Sequence, residues 1–339
     1  MQSGVKLGRY GGKGIVSMMR LTVIFMLSFL LSANGWTQER IKFPVGVSSK
    51  VLGFGYIWAA AKRGYFEREG LDVELILIRG TAQGLQALIA GSINVAVVAV
   101  DGPIAIAEQG FDVAMVASGS RVTHMIMGGR GYKNYEDLRG ATVGSSSLTS
   151  GTAFLLRRVL KSKGLEYPRD YKLLNVGGTA SSVAALSSGQ IAASILSVPY
   201  SFQAQESGFN LIGRVADVFP KYLLSAYAVR RSWAEKNRPP LVKFLKALLL
   251  GKKWFEQDRK AATEFLAKEF QLKPHLAQQG LDYYLDTAAW HPELEIEMEG
   301  LKTVLDIYAE QTNMKGPIPS PQKFVDTSYL RQALKELRL

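Results

Sequence analysis

Short β-branched runs and longer amphipathic runs alternate along this chain, and each period predicts a different element. Apolar runs of four to seven residues flanked by Gly, Asp or Ser favour strands, and apolar positions spaced three and four apart favour helices. The predicted strands are residues 41–47, 72–78, 95–100, 113–118, 125–128, 141–145, 171–176, 191–197 and 210–215. The predicted helices between them are residues 55–66, 82–90, 103–109, 151–163, 180–188 and 200–207. This alternation predicts an α/β fold with largely parallel sheets.

The strand and helix pattern occurs twice, at a constant offset of 98 residues. Residues 45–53 (VGVSSKVLG) then align with residues 143–151 (VGSSSLTSG), and residues 80–82 (GTA) with residues 178–180 (GTA). Separate segments that share one offset indicate a repeat. Whether the repeat reflects ancestry or only a shared architecture, it predicts two α/β lobes.

The chain changes character after residue 222. Residues 222–230 form an extended apolar run, and helical periodicity dominates the remainder. One helix is predicted to begin at Pro239-Pro240 and another at Pro274. We expect these C-terminal helices to pack on the first lobe.

The N-terminal segment has the pattern of a secretory signal. Four basic residues and no acidic ones precede the apolar run 21–31, which is followed by small residues at 32–35. The apolar run is shorter than the roughly 20 residues that span a bilayer, so cleavage after Gly35 is favoured over an uncleaved anchor. Met18 or Met19 is an alternative start. The chain contains no cysteine, which excludes disulfides, thiolate metal sites and a lipid anchor.

Charge adds little to this prediction. The net charge is +12, of which the four basic residues of the signal contribute +4, so +8 remains on the exported chain. A basic balance favours anionic partners. Dispersed lysines and arginines, together with an export signal, argue against nucleic acid as the partner.

Hydroxyl-rich loops provide the main candidates for a binding site. They follow predicted strands, and ligands of open α/β sheets gather at the carboxyl ends of the strands. Helix N-termini there add unpaired N–H groups that favour an acceptor-rich ligand. The candidate ligand-binding residues are Ser48, Ser49, Phe54, Thr81, Asp101, His124, Ser146, Ser147, Thr149, Ser150, Thr179 and Tyr200.

Each candidate has an ordinary structural alternative. Ser150, Thr81 and Thr179 precede or begin predicted helices and are expected to be caps as readily as ligands. Asp101 is an equally good helix N-cap, but if it faces the cleft, its carboxylate calls for a ligand with an amine or another donor. Tyr200 and Phe54 offer rings for stacking. His124, beside a predicted crossing strand, offers a donor or acceptor, although a core or surface position is more usual for a lone histidine.

Several catalytic sites are disfavoured by the sequence. No G-x-S-x-G motif accompanies the serines, and only three histidines are present, which argues against a serine hydrolase. The G-x-x-x-x-G-K-[ST] motif of nucleotide-binding loops is absent. The nearest approach to a metal cluster, His291-Pro292-Glu293, is better explained as a helix-end surface. No cofactor is predicted.

Four segments, in order along the chain, carry recognisable motifs: residues 62–74 (KRGYFEREGLDVE), 87–94 (ALIAGSIN), 135–140 (YEDLRG) and 185–193 (ALSSGQIAA). They resemble motifs of the periplasmic solute-binding proteins for nitrate, sulfonates, taurine and thiamine-pyrimidine precursors. The resemblance implies a type II periplasmic binding protein fold, with two α/β lobes joined by crossing strands near residues 118–125 and 223–229. It assigns residues 36–120 and 225–339 to lobe 1, and residues 121–224 to lobe 2.

The resemblance also implies a function. We expect a monomeric, periplasmic substrate-binding component that captures a small organic acid, sulfonate or heteroaromatic compound and delivers it to the permease and ATPase subunits of an ABC importer. Two alternatives stay open on the same scaffold. One is an enzyme of thiamine- or menaquinone-precursor metabolism, and the other is a sensor for a membrane kinase.

Overall fold

The computed structural model describes residues 1–4, 39–148 and 151–338. The predicted signal segment and two of the candidate residues, Thr149 and Ser150, lie outside these described residues. Residues 40–339 form one compact unit. The strands are β1 (Ile41–Val47), β2 (Leu71–Leu77), β3 (Val95–Ala99), β4 (Val113–Arg121), β5 (His124–Gly128), β6 (Thr142–Ser145), β7 (Lys172–Asn175), β8 (Ala193–Ser197), β9 (Asn210–Arg214) and β10 (Leu223–Arg230).

Helices connect these strands and fill the C-terminal third of the chain. They are α1 (Gly55–Lys62), α2 (Tyr65–Arg68), α3 (Thr81–Ala90), α4 (Asp101–Glu108), α5 (Gly151–Ser162), α6 (Thr179–Ser187), α7 (Tyr200–Glu206), α8 (Arg231–Lys236), α9 (Arg238–Gln257), α10 (Arg259–Glu269), α11 (Pro274–Asp286), α12 (Met298–Gln311) and α13 (Ser328–Leu337). Short 3-10 turns lie at Leu52–Phe54, Glu136–Leu138, Val215–Asp217 and Pro321–Phe324. Across the described residues, every helix is too short or too polar to cross a membrane.

The strands form two five-stranded sheets with the same topology. The first has the order β2-β1-β3-β10-β4 and the second the order β7-β6-β8-β5-β9. In each sheet the first three strands are parallel, and the fourth runs antiparallel to its neighbours. The two-lobed α/β fold predicted from the sequence is confirmed.

The registers of the two sheets repeat at the predicted offset. Val45 pairs with Leu75 and Val95 in the first sheet, and Val143, 98 positions later, pairs with Leu173 and Ala193 in the second. A glycine follows at the same place in β1 and in β6. A Cβ on Gly46 would lie 2.6 Å from Ile93 Cδ1, and a Cβ on Gly144 would lie 2.5 Å from Ile191 Cδ1. The same close packing therefore requires glycine in both lobes.

Two connections link the sheets. The first is the short step from β4 to β5 through Val122 and Thr123, and the second is the segment from β9 to β10 that contains the 3-10 turn at Val215–Asp217. The first connection leads from the first sheet into β5, and the second leads from the second sheet into β10. Both β5 and β10 are the antiparallel fourth strands of their sheets, so they occupy equivalent positions. Both lie near the crossings that the family resemblance implies.

The C-terminal helices pack against the first lobe, as expected, and also reach the second. Helix α9 buries Phe244, whose ring stacks on Phe43 at 5.0 Å and on Phe66 at 5.3 Å between centroids. On the second lobe, His275 Nε2 of α11 lies 2.5 Å from Glu206 Oε1 at the end of α7. The sequence could not predict this second contact, because neither partner belongs to an apolar stripe.

The main difference from the predicted elements is in the first helix. Residues 55–66 were expected to form one helix, but the structure has two, α1 and α2. Gly64 lies between them with φ at 72°, a left-handed conformation that ends one helix and redirects the chain into the next.

Candidate functional site

A cavity of about 220 Å³ lies where the two sheets and a C-terminal helix meet. We call it the junction cavity. Its walls come from the loop after β1, the ends of β3, β4 and β8, the starts of β5 and β10, and α11. It is lined by Ser48, Ser49, Val51, Gly53, Phe54, Ala99, Ser120, Thr123, His124, Ser197, Val198, Leu224, Ser225 and Tyr284. None of these lining residues is Lys, Arg, Asp or Glu, so neutral donors and acceptors define the site.

The first wall is the loop that follows β1. Ser48 is fixed through its backbone, since its N–H donates to Val97 O at 3.0 Å and its carbonyl accepts from Gly80 N at 3.3 Å. These bonds leave the Ser48 side chain on the cavity side of the loop. The next turn is held by Trp290, whose Nε1 donates to Gly53 O at 2.8 Å.

The second wall is formed by the crossing strands β4 and β10. Ser120 Oγ and Ser225 Oγ lie 3.0 Å apart and share a buried hydrogen bond. Gly119 makes this approach possible, because a Cβ at that position would lie 2.4 Å from Ser225 Oγ. Tyr56 braces the same strand by donating to Gly119 O at 2.8 Å. The hydroxyl pair is therefore rigidly placed before any ligand arrives.

The third wall is Tyr284 of α11. Its ring stacks on Trp290 with centroids 4.6 Å apart, and its hydroxyl lies 3.3 Å from Thr123 Oγ1. Burial raises the pKa of Tyr284 above its usual value, so the phenol stays protonated at neutral pH. A C-terminal helix thus completes the cavity over the connection between the sheets.

His124 begins β5 and faces Ser197 in the sheet register. Its Nδ1 is buried and has no hydrogen-bond partner. Burial lowers the pKa of His124 to about 4, because the charged imidazolium loses water without gaining a counter-charge. At neutral pH the ring is therefore an uncharged imidazole, with one nitrogen that donates and one that accepts.

A second cavity, of about 280 Å³, adjoins the first, and Ala99 and Leu224 border both. We call it the Asp101 cavity. The first lobe contributes Thr81, Val100 and Asp101, and helix α5 of the second lobe contributes Gly151, Thr152 and Leu155. Tyr222 closes it from the β9 to β10 connection. Among the described residues that line it, Asp101 is the one that carries a charge.

The structure distributes the predicted site residues over these two cavities and beyond them. Ser48, Ser49, Phe54 and His124 line the junction cavity, and Thr81 and Asp101 line the Asp101 cavity. Ser146, Ser147, Thr179 and Tyr200 border neither of the two. The second hydroxyl-rich loop instead reaches the Asp101 cavity at Gly151 and Thr152, where it enters α5.

Helix capping does not account for the two Gly-Thr loops. Thr81 and Thr179 are the first residues of α3 and α6, and neither helix has a side-chain N-cap. Thr81 Oγ1 instead accepts a hydrogen bond from Ala99 N at 3.4 Å, which ties α3 to the end of β3. Asp101 likewise is the first residue of α4, and its Oδ1 accepts from Gly102 N at 3.1 Å.

Sequence reasoning missed several lining residues, namely Ser120, Thr123, Ser197, Ser225 and Tyr284. The repeat contained a signal for Ser197, since it lies 98 positions after Ala99, and both residues border the cavity. Ser120 and Ser225 lie on the strands predicted to cross between the lobes, where a ligand between two lobes must make contact. Tyr284 had no local signal, because tertiary packing alone brings α11 to this place.

The described residues of the junction cavity offer groups that can bind a ligand, but they do not pair a nucleophile with a base. Within the described part of the chain, no hydrogen bond joins His124 to a serine. Nor do the described residues contain a group of three or more His, Asp or Glu side chains that could hold a metal ion. Hydroxyls, an imidazole and a phenol can together donate to and accept from a small polar ligand.

Comparison with known proteins places this geometry in context. The protein YtlA of Bacillus subtilis is 20% identical over 299 residues, which cover 83% of this chain and 87% of YtlA. The periplasmic aliphatic sulphonate binding protein SsuA of Escherichia coli superposes with a TM-score of 0.67 at 19% identity, covering 86% of this chain and 99% of SsuA. The periplasmic nitrate-binding protein NrtA of Synechocystis gives a TM-score of 0.72 at 14% identity, covering 88% and 89%.

These likenesses show the fold, and a family model extends them to the sequence. The model of the NMT1-like family matches residues 50–269, which is more than half of the 339-residue chain. The matched region contains the four motifs, and it contributes most of the residues that line the junction cavity. The resemblance inferred from those motifs is confirmed, and the chain belongs to the NMT1-like family.

Proposed function

We propose that this protein is the extracytoplasmic substrate-binding component of an ABC importer. The observation that carries the proposal is the junction cavity, a preformed polar site at the meeting point of two lobes. Pockets of this kind, with a few fixed polar groups among apolar walls, are the usual sites of small-molecule binding. Its ligand is a small organic acid, sulfonate or heteroaromatic compound.

The mechanism is capture without reaction. The Ser120–Ser225 pair, the neutral His124 and the loop of Ser48 supply hydrogen bonds that are fixed before binding. Preorganised donors reduce the entropy lost when a ligand binds. Closure of the lobes around the ligand would then produce the shape that the permease and ATPase subunits recognise.

Similar proteins support the importer assignment. SsuA and NrtA, which share the fold, are described as periplasmic binding proteins for sulphonate and nitrate. A protein from Staphylococcus aureus with a TM-score of 0.68 is described as the ligand-binding component of an ABC-type import system. From the signal pattern of the N-terminal segment we propose export to the periplasm after cleavage of residues 1–35, and we propose that the protein acts as a monomer.

Ligand screening tests this function. The exported protein is examined by thermal shift against sulfonates, carboxylates, heteroaromatic compounds and small amines, and each hit is measured by calorimetry. We expect saturable binding of one class with one site per chain, and loss of that binding in the double variant His124→Ala, Ser225→Ala. Binding that the double variant retains in full, or turnover of a bound compound, would contradict the proposal.

A cellular experiment tests the importer partners. Deletion of the gene should abolish uptake of the identified ligand at low external concentration, and expression of the full chain should restore uptake. The double variant His124→Ala, Ser225→Ala should not restore uptake. Its control is Ser187→Ala, which should restore uptake, because this exposed hydroxyl donates to Val183 O of its own helix. Uptake that persists undiminished in the deletion strain would count against an importer.

A further inference from the structure

We propose that the Asp101 cavity is a subsite for an ammonium group, so that the ligand joins an amine at one end to an acceptor-rich group at the other. This inference rests on the proposed binding function and names the class of ligand. It begins with the position of the Asp101 cavity beside the junction cavity. Ala99 and Leu224 border both, so the hydroxyl-rich cavity and the carboxylate lie on neighbouring parts of the same site.

The charge of the two cavities differs sharply. The junction cavity has hydroxyls and a neutral imidazole, whereas the Asp101 cavity has one carboxylate in its lining. Within the described part of the chain, no Lys, Arg or His forms a salt bridge with Asp101, and its carboxylate accepts from neighbouring backbone N–H groups, that of Gly102 among them. A carboxylate of this kind is suited to a cation that arrives with the ligand.

Burial makes this carboxylate costly in the empty protein. Asp101 is partly buried, and the loss of water raises the pKa of its carboxyl group, with the Gly102 N–H offsetting part of the effect. Proteins rarely bury a charge that no partner compensates. An ammonium group in the cavity would supply that partner and favour the ionised carboxylate.

The walls around Asp101 suit an ammonium group better than a second anion. Tyr222 borders the cavity with an aromatic ring, which attracts cations through its π face. Asp101 Oδ2 also lies 3.4 Å from the position of a Cβ built on Gly151, at the start of α5. The partial positive charge of that helix start stabilises the carboxylate in part. The alternative to an amine subsite is therefore a purely structural contact between Asp101 and α5.

Unfolding of the ligand-free protein separates the two explanations. If the Asp101 carboxylate binds a cation of the ligand, its charge is uncompensated in the ligand-free protein. Asp101→Asn then removes that charge, and the midpoint of thermal unfolding should rise by about 2 °C or more. If Asp101 mainly anchors α5, the same change should lower the midpoint. The control Asp306→Asn affects an exposed carboxylate paired with Lys302 and should change the midpoint by less than about 1 °C. A lowered midpoint in Asp101→Asn overturns the proposal.

Matched ligands then test the chemistry directly. The probes are 3-aminopropanesulfonate against propanesulfonate, and 4-aminobutyrate against butyrate, together with the best hit of the general screen and its analogue without the amine. The amine should bind the wild-type protein about tenfold or more tightly than its analogue. Asp101→Asn should reduce this preference to near unity while it retains binding of the analogue.

The two proposals fail in different ways. If compounds without an amine bind as tightly, or if Asp101→Asn keeps the preference for the amine, the subsite is wrong and the binding function stands. If no compound shows binding that depends on His124 and Ser225, the binding function fails, and the subsite fails with it.

Discussion

His124 and Ser225 occupy equivalent positions in the two sheets. His124 lies on β5, the antiparallel fourth strand of the second sheet, and pairs with Ser197 of β8. Ser225 lies on β10, the antiparallel fourth strand of the first sheet, and pairs with Ala99 of β3. Ala99 and Ser197 are themselves 98 residues apart, the offset of the internal repeat. All four residues border the junction cavity. The site is therefore built on the repeated architecture of the two lobes, with a hydroxyl from one crossing strand and an imidazole from the other.

The serine pair offers the first prediction. In Ser225→Ala, Ser120 loses its 3.0 Å hydrogen-bond partner, and the ligand loses one fixed hydroxyl. One net hydrogen bond contributes about 0.5–1.5 kcal/mol, so calorimetry should show about 2- to 12-fold weaker binding. Ser187→Ala, which removes an exposed hydroxyl outside both cavities, should bind as the wild type does. Equal affinities in the two variants would contradict a binding role for Ser225.

His124 predicts a specific dependence of stability on pH. The folded pKa is lowered to about 4 from 6.5, so the unfolded chain binds a proton more readily than the folded chain between these values. Stability should therefore fall as pH decreases from 6.5 to 4, by up to about 3 kcal/mol from this group. In His124→Gln that component should vanish. Urea unfolding of both proteins from pH 4 to 8 measures the difference, and parallel curves would contradict the prediction.

The two amides that imitate histidine identify the nitrogen that contacts the ligand. Asparagine places a polar atom near the position of Nδ1, and glutamine places one near Nε2. Nδ1 is buried, so a ligand in the cavity would contact Nε2 instead. We therefore expect His124→Gln to retain more ligand affinity than His124→Asn. Calorimetry at pH 7 makes the comparison. The opposite order would assign the contact to Nδ1.

Gly53 limits the size of the junction cavity. A Cβ on Gly53 would lie 3.1 Å from Tyr284 Oη and 3.4 Å from Ser120 Oγ, at the cavity wall. Gly53→Ala should therefore weaken ligand binding about tenfold and change the free energy of unfolding by about 1 kcal/mol or less. Gly131→Ala is the control, because its Cβ would meet nothing within 4 Å. Undiminished binding in Gly53→Ala would place the ligand away from this wall.

The internal repeat makes a paired prediction about stability. Gly46→Ala and Gly144→Ala should each destabilise the protein by about 1–3 kcal/mol, because the new Cβ meets Ile93 Cδ1 or Ile191 Cδ1. Shortening the partner removes the closest contact, so Ile93→Val should partly rescue Gly46→Ala, and Ile191→Val should partly rescue Gly144→Ala. Denaturant unfolding of the singles and doubles measures this. Rescue of Gly46→Ala by Ile191→Val, or of Gly144→Ala by Ile93→Val, would contradict the proposal that each glycine packs on the isoleucine of its own lobe.

Much of the fold could be predicted from the sequence, because its signals are local. The bounds of β1 match those expected from its apolar run, and the 98-residue offset reappears in the strand registers. The break at Gly64 was missed, since periodicity continues across it while the backbone conformation does not.

The site was less predictable, for a physical reason. Ser48 and Ser49 follow a strand in sequence, so their position at a sheet edge follows from the local pattern. Tyr284 and Ser120 meet the cavity only after distant segments pack together, and their hydrogen-bond partners are 161 and 105 positions away along the chain. Ser146 and Ser147 have the same local pattern as Ser48 and Ser49 but border neither cavity, so the local pattern alone does not place a loop at the site.

A crystal structure of the protein with the tightest-binding compound of the screen tests the central claim most directly. The account predicts ligand density in the junction cavity, within hydrogen-bond distance of Ser225 and His124 and extending toward Asp101. Density on the outer surface of either lobe, with the junction cavity empty or filled only by water, would contradict it.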